Sequence, residues 1–241
     1  MFGKQTSSEN SAGEAMAGSD VKLVGIRPCP YVNRAQIALN LKSVEHEFIE
    51  LNPYTDRDML VKLNPVHKKI PVLIHEEKPV CESLIVVQYI DEVWTNGTAI
   101  LPYDPYDRAI ALFWASYIEE KWSPLLGELR KAEGEEEKAA LMEKIWQGMA
   151  LLEEAFLKCS KGKAFFGGDS IGYVDIALGG FLGWIKATEI LAGRKILDGE
   201  KTAGLVGWSE RFLLDKAVKD VIMEPEKLAE IYQRYQASKA N

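Results

Sequence analysis

Gly25-Ile26-Arg27-Pro28-Cys29-Pro30-Tyr31-Val32-Asn33-Arg34 joins a strand-like run to a helix-like one. Ahead of it, Val21-Lys22-Leu23-Val24 is β-branched and half apolar, the composition of a strand. Behind it, Ala35-Gln36-Ile37-Ala38-Leu39-Asn40-Leu41 carries apolar residues at helical spacing. Cys29 therefore stands at a strand-to-helix junction. Pro30 follows at the first helical position, where its fixed φ suits the helix and its missing N–H is no loss. A thiol there faces unpaired backbone N–H groups and the positive end of the helix dipole, which favour the thiolate. Two readings stand: a reactive cysteine, or a half-buried structural one in a turn. The flanking prolines and the nearby Arg27 favour the first.

The 241 residues suffice for one large or two modest domains with a sizeable core. At 47% hydrophobic and 27% charged, the composition is that of a soluble globular protein. A net charge of −7 argues against non-specific binding to nucleic acid or anionic membranes. Cys29, Cys81 and Cys159 form no C-x-x-C pair and no disulfide framework, which points to a reducing, cytoplasmic compartment. His46, His67 and His75 lack metal-ligand spacing and read as surface or strand residues, so no metal is expected. No apolar run is long enough to span a bilayer.

Residues 1–20 are rich in Ser, Gly, Ala and Glu and read as a disordered tail, without the features of a signal or transit peptide. After the first strand and helix, His46–Leu51 alternates as a second strand, so a parallel β-α-β unit is expected. Tyr54–Leu63 reads as a short helix. Lys69–His75 and Pro79–Cys81 read as a hairpin around Glu76-Glu77-Lys78, with Pro71 at the start of its strand and compatible with a cis bond. Ser83 reads as the capping residue of an amphipathic helix through Trp94. Residues 21–95 thus form one α/β domain and 96–105 a linker. From 106 to 241 no strand pattern remains, and helices are expected over Tyr106–Arg130, Glu136–Cys159, Tyr173–Ala192, Thr202–Leu214 and Pro225–Gln236. Gly172-Tyr173-Val174-Asp175 is a capping-box variant, with Ile171 and Ile176 as its staple; a catalytic Asp175 is the sharper but weaker reading.

The chain resembles the cytosolic glutathione transferases, and among them the plant Tau class. The resemblance rests on Leu39-Asn40-Leu41-Lys42, on Asn64 to His75, on Glu82-Ser83-Leu84-Ile85 with Tyr89-Ile90-Asp91-Glu92, on Asp104-Pro105-Tyr106-Asp107-Arg108 with Phe113-Trp114-Ala115, and on Phe166-Gly167-Gly168-Asp169 running into Tyr173-Val174-Asp175-Ile176-Ala177. It implies a thioredoxin-like N-terminal domain, an all-α C-terminal domain and a homodimer. It also implies that Lys69 meets the glycine carboxylate of glutathione. Ile70 would pair with its cysteine portion beside a cis Pro71. Glu82 would take the ammonium, and Ser83 the γ-glutamyl carboxylate. A ligand with two carboxylates and one ammonium needs such a set. The chain departs from the Tau pattern in three places: Cys29 replaces serine, Arg27 replaces tryptophan, and Asp56 stands where many members have lysine, with Arg57 next door as its substitute. Cys-Pro-Tyr is similar to thiol-transferring relatives, but Val32 leaves no resolving cysteine.

Three functions fit. Cys29 can carry glutathione-dependent thiol transfer or reduction, removing glutathione from mixed disulfides or glutathionyl adducts. Alternatively, the chain conjugates glutathione to small electrophiles, or carries apolar molecules without turnover. A second-substrate site is expected between the domains, from Ser123, Gly127 and Arg130 on one helix face, with Trp184, Tyr31 and Arg27.

Overall fold

The computed structural model describes residues 20–52 and 55–239. The expected N-terminal tail and the Tyr54 start of the second helix lie outside them. Four strands form one mixed sheet in the order β2-β1-β3-β4: β1 (Val21–Gly25), β2 (Glu47–Glu50), β3 (Val72–His75) and β4 (Lys78–Cys81). β1 runs parallel to β2, as the β-α-β reading requires, and antiparallel to β3. β3 and β4 form the expected hairpin, with Val72 opposite Cys81, and Ile70–Pro71 is cis.

Strand alternation sends neighbouring residues to opposite faces. Leu23 joins Ala38, Val87 and Ile90 in the main core, under α1 (Pro30–Leu41) and α3 (Ser83–Val93). Val24 packs instead with Leu51, Val72 and Leu60, under α2 (Arg57–Leu63). This three-layer arrangement is the thioredoxin-like fold. The segment after α3 is tied down by Asp91, which accepts the N–H groups of Ile100 and Leu101 and lies 2.8 Å from the buried Lys42.

The rest is helical: α4 (Pro105–Tyr117), α5 (Ser123–Lys131), α6 (Glu135–Cys159), α7 (Tyr173–Gly179), α8 (Leu182–Ala192), α9 (Ala203–Leu214) and α10 (Pro225–Lys239). Two expected helices are each divided. Tyr106–Arg130 is interrupted by a π-helical turn, Ile118–Trp122, closed by a bond from the Ser123 N–H to the Ile118 carbonyl. Pro124 lacks an N–H, so an α-helical bond cannot form just beyond it. Tyr173–Ala192 breaks at Gly180-Phe181, where the Phe181 N–H tightens onto Leu178, three residues back. Glycine is needed at 180, because a Cβ there would lie 2.7 Å from the Pro30 carbonyl oxygen of α1.

The main core runs unbroken from α1 and α3 into α4, α6, α7 and α9. Asp175 lies at its centre, fully buried. Its carboxylate accepts the N–H groups of Phe166, Gly167 and Gly172 and the indole N–H of Trp208, at 2.7–2.9 Å. The bond from Gly172 is the expected capping contact; the other three show that Asp175 also organises the loop before α7. Burial pushes its pKa up to about 6 against the pull of the four donors.

Asp175→Ala leaves four buried donors unmet and should lower the unfolding free energy by at least about 3 kcal/mol. Asp175 titrates near 6 in the fold but near about 3.9 unfolded, so between these values the native state holds the extra proton. Its contribution to stability therefore falls as pH rises through that window. Urea denaturation should show the gap between wild type and Asp175→Ala narrowing from about pH 4 to about pH 6. A gap that widens would contradict the assignment.

Candidate active site

Cys29 is the N-cap of α1, with extended backbone, and its carbonyl accepts the first helical bond from Asn33. Burial pushes its thiol above the usual value. The N–H groups of Val32 and Tyr31 and the charge of Arg34 pull the other way without offsetting it. This corrects the sequence reading on two points. The resting thiol is protonated at neutral pH, because desolvation outweighs the helix terminus. The cation acting on it is Arg34; the Arg27 guanidinium lies over the Phe48 ring, 4.7 Å from its centroid, against β2.

Cys29 opens onto a cavity of about 380 Å³ shared with Tyr31, Arg57, Lys69 and Ile70, a size within the range of small-molecule sites. Asn64 fixes the approach to it: its side chain donates to the Lys69 carbonyl and accepts the His67 N–H, both at 3.0 Å. The β3–β4 register then sets Pro71 and Glu82 at the same end of the sheet. Glu82, at φ +69, is the N-cap of α3 and makes no side-chain cap bond. Ser83 is therefore not the expected cap; it occupies the first helical position, and its buried hydroxyl accepts from Arg34 at 3.0 Å. His67 Nδ1 lies 3.8 Å from the Glu82 carboxylate. Asp56 is occupied locally by the Asn52 N–H and the Thr55 hydroxyl, which hold its carboxyl below the usual range. Asp56 and Arg57 both line the cavity beside Lys69, and Arg57 is its second cation near that end.

Arg34 is the residue that sequence reading missed. Its side chain is wholly buried. It donates to the Ala177 carbonyl at 3.1 and 2.9 Å, to Ser83, and to the Glu119 carboxylate on the π-helical turn. It also lies over the rings of Tyr31 and Phe181, 5.3 and 5.0 Å from their centroids. The available signal was its register: Arg34 shares a helical stripe with Ile37, Ala38 and Leu41, where a charge needs a buried partner.

The expected second-substrate residues divide. The Ser123 hydroxyl meets that of Tyr31. Gly127 has open space where a Cβ would point. Trp184 donates its indole N–H to the Pro28 carbonyl at 3.1 Å, and Arg130 lies over the same indole, 5.0 Å from its ring. The indole thus stands between the Cys29 loop and Arg130. Among the described residues no group of three His, Cys, Asp or Glu side chains could hold a metal, and no helix is long and apolar enough to cross a membrane.

Residues 19–92 match the glutathione S-transferase N-terminal domain, and residues 106–214 match the C-terminal domain. The chain is 55% identical to glutathione S-transferase U17 of Arabidopsis thaliana over 91% of this chain and 97% of the relative. The crystal structure of a Tau class glutathione S-transferase from mango, Mangifera indica, superposes with a TM-score of 0.87 at 56% identity, covering 90% and 99% of the two chains. This chain is a Tau-class member of the glutathione S-transferase family. A rice transferase solved in complex with glutathione superposes on this transferase at a TM-score of 0.83, with 30% identity over 92% of this chain and all of the other. The matches establish the fold and the enzyme family.

The resting Cys29 thiol of this transferase has a definite chemical signature. Its alkylation by iodoacetamide should keep accelerating past about pH 8.5, the ordinary thiol pKa. A plateau already reached by about pH 7 would mark an ionised resting thiol.

Proposed function

We propose that this chain is a glutathione transferase whose Cys29 performs thiol transfer on glutathionylated substrates. The observation carrying this reading is the placement of Sγ at the N-terminus of α1, beside Ile70 and Lys69 and toward the N–H groups of Val32 and Tyr31. Lys69 and Arg57 would receive the glycine carboxylate of glutathione, and Ile70 beside Pro71 its cysteine portion. Glu82 would take the ammonium, and Ser83 the γ-glutamyl carboxylate. In the reaction, Cys29 gives up its proton and attacks the glutathionyl sulfur of R–S–SG. A Cys29–glutathione disulfide forms, and R–S⁻ leaves and takes up a proton. A second glutathione, as thiolate, attacks the glutathionyl sulfur; oxidised glutathione leaves and Cys29 is released as thiolate. The two N–H groups stabilise that thiolate as it departs. No resolving cysteine is needed, in keeping with Val32 three residues on.

The raised pKa of Cys29 favours a second reading, conjugation to an electrophile. A protonated thiol can donate a weak hydrogen bond to the bound glutathione thiolate, as a serine hydroxyl would.

A paired assay decides between them: reduction of a glutathione mixed disulfide, and conjugation to an aryl halide. Thiol transfer predicts that wild type performs the first well and the second poorly, and that Cys29→Ser abolishes the first and raises the second. Efficient conjugation by wild type, with reduction surviving in Cys29→Ser, would overturn it. The glutathione assignment is tested separately. Glu82→Gln removes the charged partner of the ammonium, and calorimetry should show glutathione binding weakened by roughly 1.5–3 kcal/mol. Unchanged affinity would place the ammonium elsewhere.

A further inference from the structure

Asn96-Gly97 lies in a bend between α3 and α4, outside any helix or strand, and Thr95, Asn96, Gly97 and Thr98 are all exposed. Among the described residues, neither the Asn96 side-chain amide nor the Gly97 N–H has a hydrogen-bond partner. Gly97 adopts φ +73 and presents no Cβ beside that N–H. An amide carbon and a free backbone nitrogen one residue on are thus left together in water. The other described asparagines are closed to such an encounter. Asn52 and Asn64 precede proline, whose nitrogen carries no hydrogen. Asn33 and Asn40 stand in α1, each followed by a residue of the same helix, and their amides donate to the Gly180 and Ala217 carbonyls. The bend is anchored directly behind Gly97. The Thr98 carbonyl accepts the buried Lys42 ammonium at 3.1 Å. Lys42 is in turn paired with Asp91, which holds the N–H groups of Ile100 and Leu101.

We propose that Asn96 is a site of spontaneous deamidation through a succinimide, and that the isoaspartyl link left there is a substrate for a protein carboxyl methyltransferase that recognises such links. The Gly97 nitrogen attacks Cγ of Asn96. The N–Cγ bond forms, the Cγ–Nδ2 bond breaks, and ammonia leaves with the proton from the Gly97 N–H. Water then opens the five-membered ring. Attack at Cγ gives aspartate. Attack at the Asn96 backbone carbonyl carbon sends the main chain through Cγ and frees the α-carboxylate, whose oxygen takes a methyl group from the sulfonium donor of the methyltransferase. Either opening adds one negative charge to a chain already at −7. The isoaspartyl product also lengthens the backbone by one atom just ahead of Thr98, which draws the Thr98 carbonyl off Lys42. The proposal does not depend on the chemistry assigned to Cys29.

The test is peptide mapping by mass spectrometry of the full chain held in warm, mildly alkaline buffer. The peptide holding Asn96 should gain one mass unit at least tenfold faster than any other described asparagine, with isoaspartate exceeding aspartate. An isoaspartyl methyltransferase with labelled methyl donor should then label that peptide. A synthetic peptide of residues 92–101 should convert within tenfold of the rate in the folded chain, because the fold leaves the amide and the N–H free. Asn96→Gln in the full chain should abolish both the mass gain and the label. Gly97→Ala, made in the synthetic peptide so that the strain of alanine at φ +73 does not enter, should slow conversion at least tenfold. The converted chain should melt below Asn96→Asp, which adds the charge without the extra backbone atom. Conversion more than tenfold slower in the folded chain than in the peptide, an earlier mass gain at another described asparagine, label surviving Asn96→Gln at this peptide, or a converted chain melting with Asn96→Asp would each overturn the proposal.

Discussion

Arg34 is the constraint on which the rest depends. A wholly buried guanidinium is tolerable only if its donors are met, and here they reach three other elements at once: Ser83 at the start of α3, Ala177 in α7 and Glu119 on the π-helical turn, while the cation also lies over the Tyr31 ring beside Cys29. The α/β domain supplies the cation and the helical domain most of its acceptors. Removing either side leaves unmet charge in the core, so the two domains hold each other in one orientation. That orientation sets Cys29 against the cleft. The same cation pulls the Cys29 pKa down, so domain docking and thiol chemistry share a single charge. The Asn33 side chain reinforces the join, donating to the Gly180 carbonyl at 3.0 Å where α1 comes close to the C-terminal end of α7.

Much of this was legible in the chain. Residue types and spacing disclose the β-α-β unit, the hairpin, the capping contact at Gly172 and Asp175, and the loss of strands after the linker, because periodicity and capping are local properties. The grouping of Cys29, Lys69 and Ile70 was legible through resemblance. What the sequence concealed is non-local. Arg34 reads as one more polar residue of α1 until Glu119, 85 positions away, is brought to it. The Gly180-Phe181 break depends on the Pro30 carbonyl approaching from another domain. Ser83 has the side chain of a cap, yet it opens α3 with its hydroxyl held by Arg34, and Glu82 stands at the cap.

The thiol shows the limit most plainly. A dipole at a helix terminus can be inferred from a proline and a helical period, and it acts in the expected direction. Desolvation is fixed by everything that packs around the sulfur, and here it prevails. A cysteine at a helix N-cap therefore has two opposing environments, of which only one is written in its neighbours along the chain.

The π-helical turn carries a consequence for the wall facing the cleft. It inserts one residue into the helical ladder, and each residue of an α-helix advances the phase by about 100°. Ser123, Gly127 and Arg130 thus point where they do because α5 is rotated by roughly that angle relative to an uninterrupted continuation of α4. The α5 side chains that face Tyr31 and Trp184 are set by phase as well as by identity. Shortening Ile118–Trp122 by one residue would turn a different stripe of α5 toward Tyr31 and Trp184 without altering a single wall residue. The length of one turn thus sets which stripe of α5 faces Tyr31 and Trp184.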